Sequence, residues 1–179
     1  DSLFKGCTSL EEIIIPDTVA SVERYAFQGC SRLKRVVFPD SVTRIADYAF
    51  SNCQALTSVT LPNRLPSVGR SAFEGCSLLS NVVFPESVTK IERYAFANCP
   101  ALKQIQLPKG LVTMESGAFA YTSLSAVTIP KSLESGGTDT GAFKGVDTLK
   151  TVTFEPGITR IADTLFCDCT GLEEIVIPS

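Results

Sequence analysis

Phenylalanines stand at positions 4, 27, 50, 73, 96, 119, 143 and 166, so the chain repeats itself every 23 residues, with one step of 24. A fixed period in this range constrains the fold more than any local propensity. Each unit is one supersecondary piece, too small to bury its own apolar face. It becomes stable only by stacking on its neighbours into a solenoid. The period predicts one continuous body of about eight units over residues 1–179, not separate globules. The chain opens in mid-unit at Asp1-Ser2-Leu3-Phe4 and stops in mid-unit at Ile177-Pro178-Ser179, so it is expected to be a fragment of a longer chain.

Within a unit the apolar positions recur. Counting from Phe27 they are Leu33, Val36, Phe38, Val42, Ile45 and Ala49; two units on they are Leu79, Val82, Phe84, Val88, Ile91 and Ala95. All 11 phenylalanines fall in two columns of this frame. Leu33-x-x-Val36-x-Phe38 ends in apolar alternation, which predicts a short half-buried strand. Pro39 closes it, because proline cannot donate to a ladder; Pro16, Pro62, Pro85, Pro108, Pro130 and Pro178 do the same, and Pro156 comes one residue late. Val42-x-x-Ile45 is too short for a helix and reads as a second short extended arm. Ala46–Phe50 is expected to form a single helical turn, ended by the small residues that follow each repeat phenylalanine (Gly29, Asn52, Gly75, Asn98, Gly145). No segment carries helical periodicity over ten residues or more, so long helices are not predicted.

The frame Leu10-x-x-Ile13-x-Ile15 resembles the strand pattern of leucine-rich repeats. The fuller unit, with Ile45, Ala49-Phe50, Cys53, Leu56, Val59 and Leu61-Pro62, is similar to the BspA-like subfamily. The resemblance implies a right-handed, arc-shaped leucine-rich-repeat solenoid, mostly β, with parallel strands on the concave face and short strands and helical turns elsewhere. It also implies a secreted or cell-surface protein, bacterial or protist, that adheres to a host matrix or cell-surface protein or glycan. No family-wide catalytic residues come with it.

By alternation, the outward residues of the concave strands form two columns. One holds Glu12, Arg35, Ser58, Asn81, Gln104, Ala126, Thr151 and Glu174; the other holds Ile14, Val37, Thr60, Val83, Gln106, Thr128, Thr153 and Val176. The candidate binding surface is therefore Arg35, Val37, Ser58, Thr60, Asn81, Val83, Gln104, Gln106, Thr128, Thr151 and Thr153. An exposed apolar stripe marks binding surfaces, while branched residues also suit strand positions whatever they touch. A candidate loop is Gly136, Gly137, Thr138 and Asp139, where the sixth unit departs from the frame. Tyr25, Tyr48 and Tyr94 share a column beside Arg24, Arg70 and Arg93, either interface anchors or a ladder of stacked surface side chains.

Six of the seven cysteines sit three residues after a repeat phenylalanine, a spacing that fits neither a disulfide framework nor a CxxC metal site. They read as buried small apolar residues, with Cys167, the one off this register, as the candidate exposed thiol. The chain has no histidine, which removes Ser-His and Cys-His nucleophile pairs and His-ligated metal sites. No phosphate-binding glycine loop is present, and no catalytic residue, cofactor or metal is expected. The net charge of −3 is mild and interspersed, so nothing points to nucleic acid. No apolar run reaches the ~18 residues of a membrane span, so no direct membrane insertion is expected. A non-enzymatic adhesion module is the favoured function; a spacer rod presenting another domain is the alternative.

Overall fold

The computed structural model describes residues 1–134 and 141–178. In chain order the strands are β1 (Glu12–Ile14), β2 (Ser21–Val22), β3 (Arg35–Val37), β4 (Arg44–Ile45), β5 (Ser58–Thr60), β6 (Ser67–Val68), β7 (Asn81–Val83), β8 (Lys90–Ile91), β9 (Thr113–Met114), β10 (Ala126–Ile129), β11 (Thr151–Phe154) and β12 (Glu174–Val176). We number the coils by the inward residue of each longer strand or its equivalent: Ile13, Val36, Val59, Val82, Ile105, Val127, Val152 and Ile175 for coils 1 to 8. Every pairing is parallel and joins a coil to the next, with partners 23 residues apart in the first coils, as in Ile13 with Val36 and Val59 with Val82. The second extended arm forms its own sheet, in the order β2-β4-β6-β8-β9. The result is a parallel leucine-rich-repeat solenoid.

A single apolar core runs through it. Phe50, Phe73, Phe96, Phe119 and Phe143 are each 0% exposed, and Leu33, Leu56, Leu79, Leu102 and Leu124 lie beside them at 0%. The repeat phenylalanines are stacked face to face from Phe4 to Phe166, with centroids 5.1–5.4 Å apart. Such pairs add about 0.5–1.5 kcal/mol each beyond the area they bury. The main chain under the rings is laced just as regularly. Each phenylalanine N–H donates to the carbonyl of the residue before the next phenylalanine: Phe27 to Ala49, Phe50 to Ala72, Phe73 to Ala95 and Phe96 to Ala118, all at 2.8 Å.

The helical turns expected at Ala46–Phe50 and its equivalents are not formed. The segment is a run of four-residue turns instead: Ala49 N–H donates to Ala46, Ser51 to Tyr48, and Cys53 to Phe50. The reason lies in two columns of left-handed backbone. Tyr25, Tyr48, Ser71, Tyr94 and Gly117 take φ of 60°, 58°, 51°, 56° and 68°. Gly29, Asn52, Gly75, Asn98 and Gly145 take 72°, 59°, 72°, 56° and 64°. A left-handed residue on either side of the phenylalanine prevents a right-handed helix from passing through it. In exchange, the chain turns its N–H groups toward the next coil, as in Tyr48 to Arg70 and Asn52 to Glu74.

The tyrosines that carry this strain shield it. Tyr25 and Tyr48 stack at 5.1 Å, with Lys5 and Arg24 over the Tyr25 ring. Tyr25, Tyr48 and Tyr94 are each half-buried, and stacking within the column joins Tyr25 to Tyr48. Tyr94 lies where a Cβ on Gly117 would be, its ring carbons 2.3–2.4 Å from that point.

Two stability predictions follow from this packing. Phe73→Ala is expected to cost about 3–5 kcal/mol in denaturant unfolding, because the ring is fully buried between two others. Gly117→Ala is expected to cost at least about 1 kcal/mol, since it adds left-handed strain and displaces the Tyr94 ring; an unchanged melting curve would contradict that contact.

Candidate binding site

The longer strands do not make one sheet. Their ladder is closed between coils 1 and 2 (β1-β3), 3 and 4 (β5-β7), and 6 to 8 (β10-β11-β12). Closed seams even extend past the strands, with Ile15 N–H on Val37 and Leu61 N–H on Val83. Between coils 2 and 3 no strand pairing and no main-chain hydrogen bond joins residues 34–38 to 57–61. Between coils 4 and 5 the same holds for residues 80–84 and 103–107. Residues 104–106 form no strand, so Gln104 and Gln106, expected on a concave strand, stand on a segment that forms no ladder with either neighbour.

Each opened seam is a cleft. The cleft between coils 2 and 3 has a volume of about 440 Å³, and its walls include Phe38, Asp40, Ser58, Thr60 and Asn63. The cleft between coils 4 and 5 is about 390 Å³, with Phe84, Glu86, Gln104, Gln106 and Lys109 at the equivalent places. A third, about 310 Å³, lies between coils 5 and 6 and is lined by Gln106, Thr128 and Glu155. Phe38 and Phe84 are half-buried and meet Phe50 and Phe96 edge-on, at 5.6 and 5.5 Å. Phe154 holds the same column in coil 7 but is 1% exposed, and there the ladder is closed.

The candidate residues share this face. Arg35, Ser58, Thr60, Asn81, Val83, Gln104, Gln106 and Thr128 are exposed, while Val37, Thr151 and Thr153 are half-buried. The candidate loop Gly136, Gly137, Thr138 and Asp139 lies outside the described residues. Arg35 is bound to Glu12 at 2.9 Å, and Glu11 holds Arg32 and Lys34. The Lys34 hydrogen bond and charge, with Arg32 beside them, keep the Glu11 carboxyl below the usual carboxylate range. Asn63 donates to Asp40 across the 2/3 seam at 2.9 Å. The alternating column pattern in the sequence identified the face; the clefts, with Asp40, Asn63, Glu86 and Lys109 on their rims, were missed because they sit in the turn beyond the strand.

The cysteines lie on the opposite account, inside. Cys53, Cys76 and Cys99 are 0% exposed, and their thiols donate to the carbonyls of Phe27, Phe50 and Phe73 in the preceding coil at 3.3 Å. They therefore join coils as well as fill space. Burial pushes the Cys53 and Cys99 thiols up to about 12 and Cys76 well above its ordinary value. The exposed thiol is Cys7; Cys167, expected to be exposed, is half-buried. Among the described residues no group of three or more His, Cys, Asp or Glu is placed to hold a metal ion.

A parallel coil of this length, with an inward LxxIxI strand and a phenylalanine spine, is the architecture of leucine-rich-repeat proteins. The chain belongs to the BspA type leucine rich repeat family, whose pattern matches residues 1–99 and 67–179 in 6 copies. Among solved structures it is similar to the T. pallidum leucine rich repeat protein TpLRR, at 26% identity and a TM-score of 0.71, over 93% of this chain and 69% of that one. A leucine-rich repeat protein from Bacteroides ovatus is 26% identical at a TM-score of 0.52, over 96% of this chain and 56% of that one. The pneumococcal vaccine antigen PcpA shares the fold at 24% identity and a TM-score of 0.64, over 94% of this chain and 51% of its own. No curated protein matches the chain.

The thiols set an alkaline limit. Below pH ~9 they are neutral folded or unfolded. Above it the unfolded chain releases protons that the folded chain retains, so stability falls as pH rises from about 9 toward 12. Replacing Cys53 and Cys99 with valine, the residue Val146 supplies in this column, is expected to flatten that decline in urea midpoints measured across pH.

Proposed function

We propose that this chain is a non-enzymatic interaction module of a surface-exposed protein, binding a protein or glycan partner through the face of its longer strands. The observation that carries the reading is the opening of that face into polar clefts while the core beneath stays closed. Here the main chain of the 2/3 and 4/5 seams is left without ladder bonds, and the side chains around it are amides, hydroxyls and mixed charges. Kinship with PcpA, described as a vaccine antigen, is in keeping with surface display.

The test is capture of the protein on arrays of matrix proteins and glycans. Replacing Arg35, Val37, Gln104 and Gln106 together with alanine is expected to weaken capture at least about tenfold, a change of about 1.4 kcal/mol, with the melting temperature nearly unchanged. Undiminished capture by that variant would leave the spacer role.

A further inference from the structure

We infer that the cleft between coils 4 and 5, with the 5/6 cleft that adjoins it, binds a neutral glycan, whose hydroxyls meet amide side chains and one of whose rings packs on Phe84. This rests on the reading that the strand face binds a partner, and it narrows that partner to an uncharged carbohydrate.

The 2/3 and 4/5 clefts have equivalent walls, but they differ in what their side chains already hold. In the 2/3 cleft Asn63 donates to Asp40, Arg35 is bound to Glu12, and Lys34 is bound to Glu11. In the 4/5 cleft Asn81, Gln104, Gln106, Glu86 and Lys109 are all exposed, and none makes a side-chain hydrogen bond or ion pair among the described residues. Glu86 and Lys109 hold the columns of Asp40 and Asn63 without the bond that joins that pair. One cleft is thus largely satisfied from within the protein. The other has its donors and acceptors still to offer, along a seam whose main-chain ladder is also unmade. Gln106, Leu107 and Lys109 line the 5/6 cleft as well, so hollows of about 390 and 310 Å³ share a wall. Together they offer room for more than one sugar residue.

The chemistry of these walls is that of a carbohydrate site. A carboxamide both donates and accepts, as a sugar hydroxyl does, so Asn81, Gln104 and Gln106 can meet hydroxyls in either sense. A sugar ring also has a face of C–H groups, which packs against the electron-rich face of an aromatic ring. Phe84, half-buried in the wall, supplies that ring. Charge favours a neutral guest. Glu86 and Lys109 offset one another, and none of the outward strand-column residues of coils 3 to 6 is charged. A protein partner finds few anchors on the same surface. Interface hot spots are built on Trp, Tyr and Arg. Among those outward residues none is aromatic, and Val83 alone is a large exposed apolar side chain.

The probes are printed neutral oligosaccharides beside sulfated and uronic-acid-bearing ones, and matrix proteins before and after enzymatic removal of their glycans. Neutral oligosaccharides are expected to bind, with little change from low to high salt because no ion pair is made. Gln104→Ala with Gln106→Ala, and separately Glu86→Ala with Lys109→Ala, should each weaken that binding about tenfold or more, with the melting temperature nearly unchanged. Asp40→Ala with Asn63→Ala, in the 2/3 cleft, should leave it within about twofold. Loss on that last variant alone, or indifference to both 4/5 pairs, would overturn the assignment to the 4/5 cleft. Binding confined to the acidic glycans, or equal capture of deglycosylated matrix proteins that still falls in the 4/5 variants, would overturn the neutral glycan and keep the face as a binding surface. No glycan bound at all would overturn the inference outright. Failure of the face itself would show separately, as undiminished array capture by the fourfold alanine variant.

Discussion

The structure depends on the contact of each repeat phenylalanine with the next. Ring on ring at 5.1–5.4 Å, with an N–H to carbonyl bond beneath at about 2.8 Å through most of the chain, this spine is continuous from coil to coil. Stacking and hydrogen bonding reinforce each other because both demand the same coil step. Buried leucines and cysteines then fall into columns beside it, and each thiol reaches back to the phenylalanine carbonyl of the preceding coil. Left-handed residues on both sides of the ring are the cost of that arrangement, offset by inter-coil bonds that a helical turn would keep to itself.

A spine that holds the coils in register frees the opposite sheet from that task. The ladder of longer strands is broken at some seams and the molecule stays in one register, since the second sheet pairs through β9 and the spine continues beyond it. Surface ion pairs such as Arg35 with Glu12 decorate the face but contribute little to stability at their exposure. Division of labour of this kind places the open seams where loss of a few hydrogen bonds costs the fold least.

Much of this was legible in the residues. Phenylalanine spacing gave the register, proline marked the strand ends, and alternation separated Val36 and Val59, both buried, from Arg35 and Ser58, both exposed. The helical turn at Ala46–Phe50 was misjudged because Tyr48 is an unusual occupant of a left-handed position, so local propensity concealed it; only glycine and asparagine in the companion column hinted at the geometry. Cys167 was taken as exposed from its register alone, whereas Cys7 in the first coil is the open one. That the thiols donate across coils was not visible either, because a hydrogen bond to a carbonyl 26 residues back needs the coil to be closed first.

Period and column identity therefore belong to the sequence: a 23-residue repeat of apolar positions has one economical solution, stacking, and it dictates which side chains point in. Which seams of the outer sheet close was decided only in three dimensions. Phe84 and Phe154 occupy the same column, yet one remains half-buried beside an open cleft and the other is 1% exposed under a paired strand. The difference lies in how each ring shares space with the coils on both sides, a property of packed neighbours and not of any residue read alone.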